Sequence, residues 1–258
     1  MSRSVLDYRV SDGVATLLMN RPEKRNALNG ELVGALKEGL ARARTDGGVR
    51  VVLLRGAGDD FCSGADLAEL EKIAEMGPEA SLTDASEMGD LFVAMRRHPR
   101  PIVAAVQGRA LAGGCGLATA CDLVLARDDA LLGYPEVHLG FVPAMVMAIL
   151  RRKVVEGRAF ELVTRGEPVS AAEAERIGLV NRVFPAQSFE EEVAEYAAAL
   201  AGKPASAVEL SKRLLYGLDG LPFEEGIARG AEVNTVARLT EACREGVRRF
   251  LERKKGGG

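Results

Sequence analysis

The chain has 258 residues, of which 47% are hydrophobic, and a formal net charge of −3. That content suffices to bury one substantial core with at most a small appendage. The balance of charge gives no global attraction to nucleic acid or to an anionic membrane, although basic clusters at residues 151–153 and 248–255 leave a small polyanionic ligand open.

Residues 5–10 and 14–19 are β-like runs separated by Asp12-Gly13, a hairpin signal. Residues 20–28, NRPEKRNAL, form a polar, basic loop. Asn29 then caps a helix in which Leu32, Val33, Leu36 and Leu40 share one stripe, ended by Asp46-Gly47-Gly48. Residues 51–54 are a buried strand. After the glycine-containing stretch GAGDDFCSG at 56–64, a helical pattern starts near Asp66 with Leu67, Leu70 and Ile73 on one side. Residues 71–87 contain Gly77, Pro78 and few apolar side chains, so a mobile surface segment is expected there, with a helix resuming at 91–97.

Residues 102–106 read as another buried strand, bounded by Pro101 and Gly108 and leading to a turn with Gly113, Gly114 and Gly116 and a helix start. A strand follows at 122–127. Residues 131–143, LLGYPEVHLGFVP, are expected to be irregular and hold Glu136 among mostly apolar neighbours. From Ala144 the pattern is helical, interrupted by Pro168, by a strand at 179–184, and by breaks at Pro185, Gly202-Lys203-Pro204 and Leu221-Pro222. The alanine-rich helix at 190–201 has too little bulk to close a core alone and is expected to pack on a sheet or on another subunit. No run of about 18 uncharged apolar residues could span a bilayer, residues 1–10 lack a signal-peptide core, and the cytoplasm is the expected location.

Strand, glycine turn and helix start thus occur twice, at 51–70 and at 102–126. At such a turn unpaired amides and the helix dipole face one point, which can hold developing negative charge; tight helix–strand packing is the alternative. Other chemistries fit less well. Residues 114–119 nearly match a dinucleotide fingerprint but fail at the last glycine, and neither a P-loop nor a nucleophile elbow is present. Ser63 or Cys62 as a nucleophile would need a base, and His98 and His138 read as packing or surface histidines. Cys62, Cys115, Cys121 and Cys243 form no CxxC pair and are expected to be reduced packing thiols; with two histidines in the chain, no metal is expected.

Taken in order, residues 20–28 (NRPEKRNAL), 61–67 (FCSGADL), 101–122 (PIVAAVQGRALAGGCGLATACD), 135–140 (PEVHLG) and 245–254 (EGVRRFLERK) resemble the enoyl-CoA hydratase/isomerase family, the crotonase superfamily, over nearly the whole chain. The resemblance implies an α/β fold: a crotonase-like spiral of ββα turns over residues 1–200, with a C-terminal helical oligomerisation region over 201–258. It also implies a homotrimer or dimer of trimers, no bound cofactor, and coenzyme A entering as part of an acyl-CoA substrate. Carried over by position, Ala65 and Gly113 are the two amides that polarise the thioester carbonyl. Lys24, Ala27 and Leu28 form one wall of the CoA site, Ser63, Asp66 and Leu67 lie opposite, and Phe250 and Arg253 approach CoA from a neighbouring subunit.

The resemblance also implies a departure. Family hydratases split water with two glutamates; Glu136 matches one, but Gly116 stands at the catalytic position of the other. A lone glutamate is the pattern of the family's enoyl-CoA isomerases, in which one carboxylate takes a proton from C2 and returns it at C4. The expected function is therefore an acyl-CoA enzyme of hydratase/isomerase type using a single glutamate. A catalytically weak acyl-CoA-binding member and another enolate reaction are the alternatives. Some proteins resembling this family bind RNA, a reading that the negative charge balance opposes.

Overall fold

A computed structural model of the chain describes residues 4–256; a few side chains within helices, Leu67, Leu70 and Ile73 among them, lie outside the described residues. Strands β1 (Leu6–Ser11) and β2 (Val14–Met19) form the expected hairpin, with Ser11 opposite Val14. Asp12 and Gly13 both have positive φ, 50° and 79°, the type I′ geometry whose twist matches the strands. Asn29 caps helix α1 (Gly30–Thr45) by accepting a hydrogen bond from the Leu32 N–H at 2.9 Å, and Leu32, Leu36 and Leu40 are buried as the spacing predicts.

Strand β3 (Val51–Gly56) leads to α2 (Leu67–Glu75) and α3 (Pro78–Arg96). The mobile segment expected at 71–87 is instead helical. Pro78 sits in the first turn of α3, where its fixed φ suits a helix and its missing N–H costs nothing; the helix buries Leu91, Phe92 and Met95 only towards its end, so its exposed first half lacks an apolar stripe.

Strands β4 (Ile102–Val106) and β5 (Arg109–Leu111) precede α4 (Gly113–Ala120), followed by β6 (Leu123–Arg127) and β7 (Leu131–Gly133). The stretch at 131–143 is more regular than expected: β7 opens it and a 3-10 turn over Pro135–Leu139 carries Glu136. Helices α5 (Ala144–Lys153) and α6 (Glu156–Arg165), strand β8 (Val169–Ser170), α7 (Ala171–Arg176) and β9 (Arg182–Phe184) come next. Four helices complete the chain: α8 (Phe189–Ala201), α9 (Ala205–Gly217), α10 (Phe223–Leu239) and α11 (Glu241–Gly256).

The larger sheet runs β1-β2-β3-β4-β6-β9 and is parallel from β2 onward; the smaller runs β5-β7-β8. Alternation splits the central strands between two apolar layers. Val52, Leu54, Ile102, Ala104 and Val106 join the main core, whereas Val51, Leu53, Val103, Ala105 and Leu125 pack with Phe189 and Val193 of the alanine-rich α8. Burial on both faces explains the unbroken apolar runs of β3 and β4. Isolated parallel bridges, Leu28 with Ala65 and Cys62 with Ala110, tie the two turns and the basic loop to one another.

Tyr216 and Lys212 of α9 donate hydrogen bonds to the Asp122 carboxylate, each at 2.6 Å, and fasten that helix to the end of α4. Lys153, from a basic cluster noted in the sequence, is turned onto the carbonyls of Cys121 and Asp122 and is not a free surface cation. His98 is a packing histidine, 2% exposed, with Nε2 3.1 Å from the Leu40 carbonyl. The four cysteines are free thiols, and burial pushes those of Cys62, Cys115 and Cys121 up to about 12. Among the described residues no helix is long and apolar enough to cross a membrane.

Candidate functional site: two amide turns and a buried carboxyl oxygen

The two glycine turns meet. An ideal Cβ on Gly64 would stand 3.0 Å from the Ala112 Cβ and 3.1 Å from the Leu111 carbonyl oxygen; one on Gly114 would stand 2.2 Å from the carbonyl oxygen of Cys62. No side chain fits at Gly114, and the same closeness brings Leu28 against Gly113, whose Cβ would lie 3.3 Å from Leu28 Cδ1. Tight packing, one of the two readings that the sequence leaves open for these turns, is present here.

Around Ala65 the bonding alternates. The Leu28 N–H donates to the Gly64 carbonyl at 2.7 Å and the Asp66 N–H donates to the Leu28 carbonyl at 2.8 Å, so the N–H of Ala65 between them faces away from Leu28. Ala65 is exposed while Gly64 and Asp66 are buried. Gly113 is the first residue of α4, where helix geometry leaves its amide unpaired. Among the described residues neither the Ala65 N–H nor the Gly113 N–H has a hydrogen-bond partner.

Just before Gly113, Ala112 has φ 49° and ψ −127°, a conformation rare for a residue with a Cβ. It is held by its N–H to the Gly133 carbonyl, 2.9 Å, and by its carbonyl, which accepts from the Gly116 N–H, also at 2.9 Å. The strain fixes the direction in which α4 starts.

Glu136 lies half-buried near the start of the 3-10 turn after Pro135, and its Oε2 is buried without a hydrogen-bond partner among the described residues. Loss of hydration raises its pKa above the ordinary carboxylate value. Tyr134, fully buried, ties this turn to α4: its hydroxyl is 2.6 Å from the Thr119 hydroxyl, which donates to the Cys115 carbonyl at 2.8 Å. Tyr134 is a strut of this turn, because its hydroxyl is satisfied inside the protein.

Gly116, one turn into α4, carries no space beside it. A Cβ there would fall 2.5 Å from Val146 Cγ2 and 3.5 Å from Phe92 Cζ, so α5 and α3 press apolar side chains onto the glycine. The remaining sequence-marked residues divide into two groups. Ala27 and Leu28 are buried beside the Ala65 turn, Ser63 is half-buried there, and Lys24 is exposed on the 3-10 turn Pro22–Lys24. Phe250 and Arg253 lie exposed on α11, and the side chain of Leu67 is outside the described residues.

Asp66 is 7% exposed and its Oδ2 accepts from Arg21 Nη2 at 2.7 Å, so its carboxylate is engaged in an internal ion pair. The hydrogen bond from Arg21 holds its pKa below the ordinary value. Two residues that the sequence reading passes over organise the basic loop: Arg21, and Asn26, whose buried amide donates to the carbonyls of Ala57 and Asp60, each at 2.8 Å. Positive φ at Arg25 and Asn26 results from that anchoring, and an asparagine inside a basic loop offers no signal of it in isolation.

The chain is similar to known proteins over nearly its whole length. The family profile described as enoyl-CoA hydratase/isomerase matches residues 9–257. The chain is 42% identical over 241 residues to a Thermus thermophilus protein provisionally named an enoyl-CoA hydratase, covering 93% of this chain and 95% of that one. It is 34% identical to the 2,3-dehydroadipyl-CoA hydratase of Escherichia coli, covering 93% of each. A crystal structure of an enoyl-CoA hydratase from Mycobacterium smegmatis superposes with a TM-score of 0.93 at 33% identity, over 97% of both chains.

Proposed function

The chain belongs to the enoyl-CoA hydratase/isomerase family, and from that premise we propose that it converts an enoyl-CoA through a thioester enolate, with Glu136 as its single acid/base group. The thioester oxygen accepts hydrogen bonds from the N–H groups of Ala65 and Gly113. Charge that develops there as a C2 proton leaves is held by fixed dipoles, and one such donor typically contributes about 100- to 1000-fold in rate. Glu136 removes the proton and returns it, at C4 when the double bond migrates. The observation that carries this reading is that the touching turns carry the Ala65 and Gly113 N–H groups, which have no hydrogen-bond partner among the described residues, while the Tyr134–Thr119 contact ties the turn of Glu136, with its buried Oε2, to α4.

The contact between Gly116 and Val146 supports one carboxylate over two. Where a hydratase of the family holds its other glutamate, this chain has a glycine with a valine pressed on it, so isomerisation or another enolate step is favoured over addition of water. Exposed Lys24 meets the CoA nucleotide, Ala27, Leu28 and Ser63 flank the pantetheine arm, and Phe250 and Arg253 reach it from a neighbouring subunit. No separate cofactor is required. Residues 201–258 act as the oligomerisation region of a trimer or dimer of trimers; exposed Leu215, Phe223, Ile227 and Leu239 support this.

Glu136→Gln tests the reading directly. On a panel of enoyl-CoA thioesters assayed for hydration and for double-bond migration, turnover falls by about 1000-fold while affinity for the thioester holds, in line with loss of a general acid/base. An undiminished rate refutes the role of Glu136. Thermal stabilisation of the wild-type protein by CoA without turnover on any thioester would favour the second reading, a silent acyl-CoA-binding member, which the side-chain-free Gly116 motivates.

A further inference from the structure

We propose that the ion pair between Arg21 and Asp66 is a positioning device that aims the Ala65 amide, and that Arg21 is not a contact for coenzyme A. The inference rests on the reading of Ala65 as a donor to the thioester oxygen. Arg21 Nη2 donates to Asp66 Oδ2 at 2.7 Å, across 45 residues of chain, and Nη1 donates to the Ala27 carbonyl. Ala27 and Asp66 each adjoin one member of the bridge between Leu28 and Ala65. One planar guanidinium therefore spans both sides of that bridge and staples it.

The direction of the Ala65 N–H depends on how the short segment 64–66 is rotated about its own axis. Two backbone hydrogen bonds to Leu28 define the rotation, and nothing in a single bridge supplies the cooperativity of a longer ladder. Arg21 adds the missing restraint by fixing Asp66 relative to Ala27. On the other side of the carboxylate, Oδ1 accepts from the Ala68 N–H at 3.2 Å, so the same group sets the start of α2. The side chains of Arg21 and Asp66 are only 13% and 9% exposed. A lysine supplies the charge without the fork, and so cannot make both contacts in a fixed plane. Both terminal guanidinium nitrogens are engaged within the protein, whereas Lys24 of the same loop is exposed and free to meet a phosphate.

The test uses the full chain with Arg21→Met, Arg21→Lys and Asp66→Asn. Alongside kcat and KM, it follows the absorption of a bound cinnamoyl-CoA thioester, whose conjugated carbonyl shifts to longer wavelength when hydrogen bonds polarise it. Partial loss of one oxyanion donor predicts that kcat falls about 30- to 100-fold in Arg21→Met with KM changed less than about threefold, and that most of the red shift disappears. Arg21→Lys and Asp66→Asn give smaller losses of the same kind. A raised KM with kcat and red shift intact overturns the proposal in favour of a ligand contact, and three unchanged quantities overturn it altogether. A thioester that binds the wild-type protein without any red shift defeats the reading of Ala65 and the proposal with it; a full shift in both wild type and variants defeats the positioning role alone. Should Arg21→Met not fold, Arg21→Lys decides by the same criteria.

Discussion

The turn around Ala65 and the turn around Gly113 come from similar strand–turn–helix units and each presents one N–H without a partner among the described residues, yet they are held by different forces. The Ala65 turn rests on polar contacts reaching across the chain: the bridge to Leu28, the Arg21–Asp66 pair and the Asn26 amide. The Gly113 turn rests on packing: the strained Ala112, the Cys62 carbonyl against Gly114, and Val146 against Gly116. Contacts between rigid surfaces are broken by added volume whatever the pH, whereas a buried polar staple is broken by loss of either partner and depends on charge.

The sharpest way to break the packed turn is Gly114→Ala. Its added Cβ lies 2.2 Å from a backbone oxygen that cannot rotate away, and a loss of about 3 kcal/mol or more is expected in urea unfolding, since overpacking of a well-filled core costs 1–3 kcal/mol and occasionally more. Next comes Gly116→Glu. Alone it drives a side chain into Val146 Cγ2 and destabilises by about 1–3 kcal/mol with no gain in hydration; combined with Val146→Gly it recovers stability and gains hydration of crotonyl-CoA. A single variant that hydrates as well as the double one would show that Val146 does not fill the site.

The smallest effect separates the turns by pH. Because the Asp66 pKa is depressed in the folded protein, its contribution to stability is present above the unfolded value of about 4 and is lost as pH falls through the lower folded value. The stability gap between wild type and Asp66→Asn, read by urea unfolding, should therefore narrow from pH 7 towards pH 2. The gap between wild type and Gly114→Ala should stay constant, because a steric contact does not titrate. Glu136 behaves in the opposite sense: its pKa is raised by burial, so its stabilising contribution is complete below the unfolded value and is lost as pH rises through the folded one.

Much of this was legible in the sequence where the cause is local. Asp12-Gly13 specifies its own turn, Asn29 its own cap, and the apolar runs of β3 and β4 already imply a sheet covered on both faces. Pro78 shows the limit. In sequence it marks a break in a stretch poor in apolar residues, but at the first turn of an exposed helix it is a favourable start, and the two cases look alike until the neighbouring chain is in place. Strands β5 and β7 escaped notice because each is three residues long and owes its conformation to pairing with the other.

The site divides along the same line. Glycines 113, 114 and 116 and Glu136 stand out from residue type, because backbone approach and acid/base chemistry restrict which residues can serve; Ala65 enters only through the resemblance to the family. Only the tertiary structure decided that the two turns touch, that Val146 occupies the side of Gly116, and that the Asp66 carboxylate is paired with Arg21. Each of these depends on partners brought together from distant parts of the chain, 45 residues apart for Arg21 and Asp66, and local periodicity carries no information about which distant side chain will arrive.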